Sequence, residues 1–185
     1  MSLPLWPTRK RKHGSKDLSG AARVFQGPPK FISGGIPGVE AAALDLAVKF
    51  AMPYGGFAME GSMLDHTLAL RRYKLWEKPF SSHLDLALAN LSIADGMVIF
   101  TRGACGPDLL TLIAHARLRR HPCLTIDFED EDITGASARI WHWLGRHGID
   151  SLFVSGPVDR PELYDAAYGA LLGNLWPWLA KTSLH

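Results

Sequence analysis

Phe31-Ile-Ser-Gly-Gly-Ile-Pro-Gly-Val-Glu40 decides the fold of this chain. Two apolar residues run into three glycines within five positions, and a helix-compatible run from Val39 to Ala51 follows without a break. A strand that hands over to a helix through so bare a loop lets a ligand approach the backbone. Amides at a helix N-terminus point outward with partial positive charge, so an anion fits there. Ser33, Gly34, Gly35 and Gly38 are therefore candidate ligand-binding residues. Their spacing matches neither the dinucleotide fingerprint nor the Walker pattern.

Working outward, three more short apolar runs read as buried strands: Met97–Thr101, Cys123–Asp127 and Leu152–Ser155. They do not alternate, as strands covered on both faces tend not to. Each meets turn residues and then a helical pattern, which predicts a doubly wound, mostly parallel α/β sheet with helices on both faces. Pro37 is expected in the first turn of the first helix, with Val39, Ala43, Leu46 and Phe50 on one face. Ser82 with Asp85 has capping-box spacing, and Leu84, Leu88 and Leu91 would line that helix. Pro107 suits a first helical position, with Leu109, Leu112, Ile113 and Ala116 facing the core. Gly148 suits the end of a helix carrying Ile140 and Leu144, and Pro161 would open the last helix. Residues 52–82 fit this scheme poorly: Pro53–Phe57 allows one short strand, and the rest reads as a long binding loop or mobile segment.

In an open parallel sheet, ligands bind outside the carboxyl ends of the strands, at the switch in strand order. Three segments should meet there: Ser33–Gly38, Arg102–Asp108 and Gly156–Arg160. Arg102 and Arg160 can fork onto phosphate or carboxylate. Gly103, Gly106 and Gly156 free the backbone at their strand ends, and Asp108 would cap its helix or accept a ribose hydroxyl. Cys105 sits beside a helix start but has no histidine near it in sequence, which argues against a nucleophile. Glu129-Asp-Glu-Asp132 reads as a solvated turn, and the eight histidines show no metal-ligand spacing.

A chain of 185 residues with 47% hydrophobic content suits one well-buried domain. Two cysteines supply no disulfide framework and point to a reducing, cytoplasmic setting. No apolar stretch approaches the ~18 residues a membrane span needs. The net charge of +2 conceals an asymmetry: residues 1–30 carry seven basic groups against one acidic, and the remainder carries thirteen against seventeen. The expected organisation is a basic, poorly ordered extension over residues 1–29 followed by a ligand-binding domain over residues 30–185. Arg9-Lys-Arg-Lys12 is too short a basic run to make nucleic acid an expected partner.

The ordered segments Ile32-Ser-Gly-Gly-Ile-Pro-Gly-Val-Glu40, Ala43-Leu-Asp45, Pro53-Tyr-Gly-Gly-Phe57, Asn90, Ala94-Asp-Gly-Met-Val-Ile99, Arg102-Gly with Thr111, and Val154-Ser-Gly-Pro157 with Tyr164 form a pattern. It resembles the putative molybdenum carrier family, a circularly permuted YpsA-like branch of the SLOG superfamily of Rossmann-like proteins. The resemblance implies a Rossmann-like fold, a small anionic ligand of nucleotide or molybdopterin type at the glycine loops, and homo-oligomers. The chain departs from the family's Ser-Gly-Gly-Gln-Thr-Gly-Val-Asp-Arg opening at Ile36, Pro37, Glu40 and Ala41. An anion there must lean on backbone amides and on Arg102 or Arg160. A ligand-binding protein without catalysis is the leading expectation. The alternatives are a hydrolase of nucleotide N-glycosidic bonds using Asp108 or Glu40, and a structural or interaction role that draws on the tryptophans, Trp143, Trp176 and Trp178 among them.

Overall fold

A computed structural model describes residues 27–60 and 73–182, with the side chains of residues 176–182 left aside. The basic run Arg9–Lys12, most of the N-terminal extension, residues 61–72 and the Trp176 and Trp178 side chains lie outside the described residues. The elements run β1 (Lys30–Ile32), α1 (Val39–Lys49), β2 (Tyr54–Gly55), β3 (Phe57–Met59), β4 (Trp76–Lys78), α2 (His83–Ser92), β5 (Gly96–Thr101), α3 (Pro107–Leu118), β6 (Cys123–Asp127), α4 (Ile133–His147), β7 (Ser151–Ser155), a 3₁₀ turn (Pro161–Leu163) and α5 (Tyr164–Thr182).

Five parallel strands form the main sheet in the order β2-β1-β7-β5-β6. The last strand in the chain therefore sits at the centre. From β1 the chain moves outward to β2, and from β5 it moves outward the other way to β6. Loops diverge at such a switch and leave a crevice beyond the carboxyl ends of the central strands.

Alternation along each strand sends side chains to opposite faces, and each face has its own cover. Phe31, Val98, Phe100, Leu152 and Val154 pack with α1, α4 and α5. Ile32, Met97, Ile99 and Phe153 pack with α2 and α3. All six residues of β5 are buried, which explains its unalternated sequence. The doubly wound mixed α/β fold expected from the sequence is the fold observed.

The local signals hold with small differences. The Ser82 hydroxyl accepts the Asp85 amide at 3.1 Å, capping α2. Pro107 opens α3, and Gly148 ends α4 in the left-handed region. Pro37 lies in the turn before α1 rather than inside it, because Gly38, at φ 98°, is the residue that redirects the chain. Pro161 begins a 3₁₀ turn, and the α-helix proper starts at Tyr164. On α2 the fully packed residues are Leu86, Asn90 and Leu91, while Leu84 and Leu88 are partly buried against the second core.

The larger correction concerns residues 52–82. Pro53–Phe57 holds pieces of two strands, not one. Tyr54-Gly55 joins the edge of the main sheet beside Phe31-Ile32, and Phe57–Met59 leaves it to pair with Trp76–Lys78 in a separate parallel ribbon. Asn90 holds the departure point. Its Oδ1 accepts the Phe57 amide at 2.8 Å and its Nδ2 donates to the Phe57 carbonyl at 3.1 Å, so one buried amide stands in for a neighbouring strand. Tyr73 and Tyr164 both donate their hydroxyls to the Asp45 carboxylate, which ties the returning chain and the start of α5 to α1.

Candidate functional site

The carboxyl ends of β1, β7 and β5 bring together the three segments the sequence singled out. They border a cleft of about 480 Å³. One wall is apolar, built from Leu84 and Ala87 of α2 and from Leu109 and Leu112 of α3. The lining also includes Arg102, the start of α3 at Gly106–Asp108, and the segment Gly156–Arg160. The floor is polar and buried: Glu40, Thr101 and Ser155 are each no more than 5% exposed.

Glu40 dominates that floor. One carboxylate oxygen, Oε2, accepts the Gly34 amide at 2.9 Å and the Ile36 amide at 3.4 Å. The other, Oε1, accepts the Ser155 hydroxyl at 3.1 Å. Ser33 donates its hydroxyl to the Glu40 carbonyl at 3.1 Å. One acidic side chain thus fastens the loop after β1 to the end of β7. Burial raises its pKa from 4.5 to about 7, although the amides and the hydroxyls of Ser155 and Ser33 favour the ionised form.

The glycine loop differs from the open cradle its sequence suggested. Ser33, Gly34, Gly35 and Gly38 build the turn around Glu40, and from this loop it is Ile36 that reaches the cleft. Gly103 is also structural. Its amide donates to Asp127 Oδ1 at 2.9 Å, and its carbonyl accepts the Thr101 hydroxyl at 3.1 Å. Gly156 borders the cleft and permits a close packing contact, since a Cβ there would lie 2.6 Å from Val39 Cγ2 and 2.9 Å from the Phe100 carbonyl oxygen.

Arg102, Gly106, Asp108 and Arg160 border the cleft directly. The N-cap of α3 is Gly106, with no side-chain cap among the described residues, and Asp108 lies inside the first turn without the capping role expected of it. Arg102 is exposed at the rim, and Arg160 stands 3.6 Å from the exposed Glu162 carboxylate. The helix start, Arg102 and Arg160 therefore border the same cleft.

Sequence reasoning did not give His83, Leu84 and Ala87 of α2 a place here, nor Thr101. Their signals are ordinary helix and strand residues, and only the sheet order shows that α2 borders the crevice. Glu40 had one usable signal: a lone carboxylate in an otherwise apolar first turn, six residues beyond a glycine whose amide needs a partner. The acidic run after β6 is divided among separate tasks. Asp132 caps α4 through the Gly135 amide, and Glu131 pairs with Arg139. Among the described residues no group of three or more His, Cys, Asp or Glu side chains could hold a metal ion, and no helix is long and apolar enough to cross a membrane.

β7, the last of the described strands, occupies the sheet centre with the crevice beside it, as a doubly wound fold allows. A model of the circularly permutated YpsA SLOG family matches residues 31–174. The chain belongs to this family. Among solved structures, a putative molybdenum carrier protein from Syntrophus aciditrophicus SB is 33% identical, with a TM-score of 0.72 over 79% of this chain and 94% of that one. No curated protein matches the chain. The family resemblance read from the glycine loop and its companions is thus shown, and with it the Rossmann-like SLOG fold.

Proposed function

We propose that this SLOG-family protein is a molybdenum-carrier-like binding protein whose cleft takes a small anionic ligand of phosphorylated nucleotide or molybdopterin type. The observation that carries this reading is the mixed lining of the cleft: apolar side chains of α2 and α3 together with Arg102, Arg160 and the start of α3 at Gly106. Such a lining suits a ligand that carries both a ring and an oxyanion. The anion would be met by guanidinium forks and by helix amides that no side chain occupies. The likeness to a putative molybdenum carrier protein supports the molybdenum-related part of the reading.

The test is a thermal-shift and calorimetric panel of nucleotides, molybdopterin and molybdate on the folded protein. Stabilisation by at least one of them, lost in the Arg102→Ala, Arg160→Ala double variant, is the expected outcome. No stabilisation by any of them counts against the reading.

One observation favours a second reading, hydrolysis of a nucleotide N-glycosidic bond. A buried carboxyl poised near neutrality is suited to general acid–base work. Incubation with a nucleotide panel and chromatography for free base decides it. Base release that persists in both Glu40→Gln and Asp108→Ala removes this assignment.

A further inference from the structure

We propose that Glu40 makes the cleft a proton-coupled anion site, so that binding an anionic ligand draws a proton onto this carboxyl. The inference rests on the reading of the cleft as an anion site and goes beyond it by naming what controls occupancy. It starts from geometry. Glu40 is 5% exposed and forms part of the cleft floor. Its partners are neutral donors: two amides of its own loop and one hydroxyl from β7. No arginine or lysine neutralises it among the described residues. Among the described residues, the cleft is the space its side chain borders.

A ligand in that cleft changes both conditions that keep Glu40 ionised. It displaces water from above the carboxyl, and it brings negative charge close. Each favours the protonated form. The starting point lies near neutrality, so little further shift is needed for uptake at physiological pH. Reciprocity then requires that protonation of Glu40 strengthen ligand binding by the same factor. A protonated carboxyl also gains an O–H donor that a bound oxyanion can accept.

Other titratable or charged groups border the same space. They are His83 on α2, Arg102 before α3, Asp108 on α3, and Asp159 and Arg160 after β7. The faces packed directly on Glu40 contribute Ser33, Gly34, Ile36 and Ser155, none of which titrates. Substitution at Glu40 therefore separates its proton from those of the rim groups.

The experiment is calorimetric titration at pH 7 with AMP, ADP-ribose and molybdate, each in HEPES and in Tris, buffers of different ionisation enthalpy. Wild-type protein is expected to take up about half a proton more per bound ligand than Glu40→Gln, because a group titrating near 7 is about half protonated before binding. Above pH 7.5 the wild-type affinity should weaken by up to about tenfold per pH unit, while Glu40→Gln stays flatter. Ser155→Ala, which removes one hydrogen bond to the ionised form, should move the midpoint of that profile to higher pH. Binding with equal proton uptake in wild type and Glu40→Gln overturns the proton coupling and leaves the binding reading intact. Should Glu40→Gln fail to fold, an unmoved midpoint in Ser155→Ala overturns it instead. Binding of none of the three probes removes both inferences together.

Discussion

Two strand-to-helix loops of this molecule look alike in sequence and differ in what they leave available. After β1, the amides of Gly34 and Ile36 are closed by the Glu40 carboxylate from the helix they precede. After β5, Asp127 accepts the Gly103 amide, but among the described residues no side chain caps α3 at Gly106, and that helix start borders the cleft. The first loop carries its own anion and serves to hold the sheet edge together. The second is free to receive one from outside. A glycine-rich crossing is thus evidence for the fold wherever it occurs. It becomes evidence for a ligand only where it leaves amides at the helix start that no acidic side chain of the chain itself occupies.

The comparison can be broken most sharply through pH. Glu40 titrates near 7 in the folded protein against 4.5 for the ordinary group. Its contribution is therefore complete below the unfolded value and is lost as pH rises through the folded one. Denaturant titrations should show stability falling by up to about 3 kcal/mol from pH 4.5 to pH 8 on this account, with a flatter profile in Glu40→Gln. A comparable change comes from removing the side chain altogether. Glu40→Ala leaves two amides and the Ser155 hydroxyl without their acceptor and opens a void, at a cost of about 3 kcal/mol at pH 5.5. Arg102→Ala should do the converse. Ligand affinity should fall about tenfold or more, and urea unfolding should move by less than about 0.5 kcal/mol, because the side chain is exposed.

The glycines sharpen the same contrast at smaller scale. A Cβ at Gly34 would lie 2.8 Å from Glu40 Oε2 and 3.0 Å from Leu86 Cδ2, so Gly34→Ala should cost about 1–2 kcal/mol by chemical denaturation. At Gly106 nothing lies within 4 Å and φ is −69°. Gly106→Ala should change stability by less than about 0.5 kcal/mol.

Much of the fold was legible because it rests on local rules. Apolar runs without alternation marked the strands, although β6, at the sheet edge, is only partly buried apart from Ile126, and Ser82, Pro107 and Gly148 marked helix ends by their own chemistry. Residues 52–59 were not legible in the same way. Tyr54-Gly55 and Phe57–Met59 are too short to show a period, and the break between them is held by Asn90, 33 residues away. At the site, the three loops could be brought together because each follows the carboxyl end of a predicted parallel strand. The closure of the first by Glu40 could not, since it depends on a carboxylate folding back over its own helix start and on Ser155, 115 residues further along the chain. Asp45 and Tyr164, quoted for the family pattern, turn out to be partners in one hydrogen bond.

The most direct test of the account maps backbone amide shifts by ¹H–¹⁵N spectroscopy, during titration with whichever of AMP, ADP-ribose or molybdate binds most tightly. The account predicts the largest shifts at the start of α3, around Asp108, and at Arg102 and Arg160, with the Gly34 amide still on Glu40 and little changed. A dominant shift at Gly34 and Ile36, with Gly106–Asp108 unmoved, would place the anion on the first loop and contradict it.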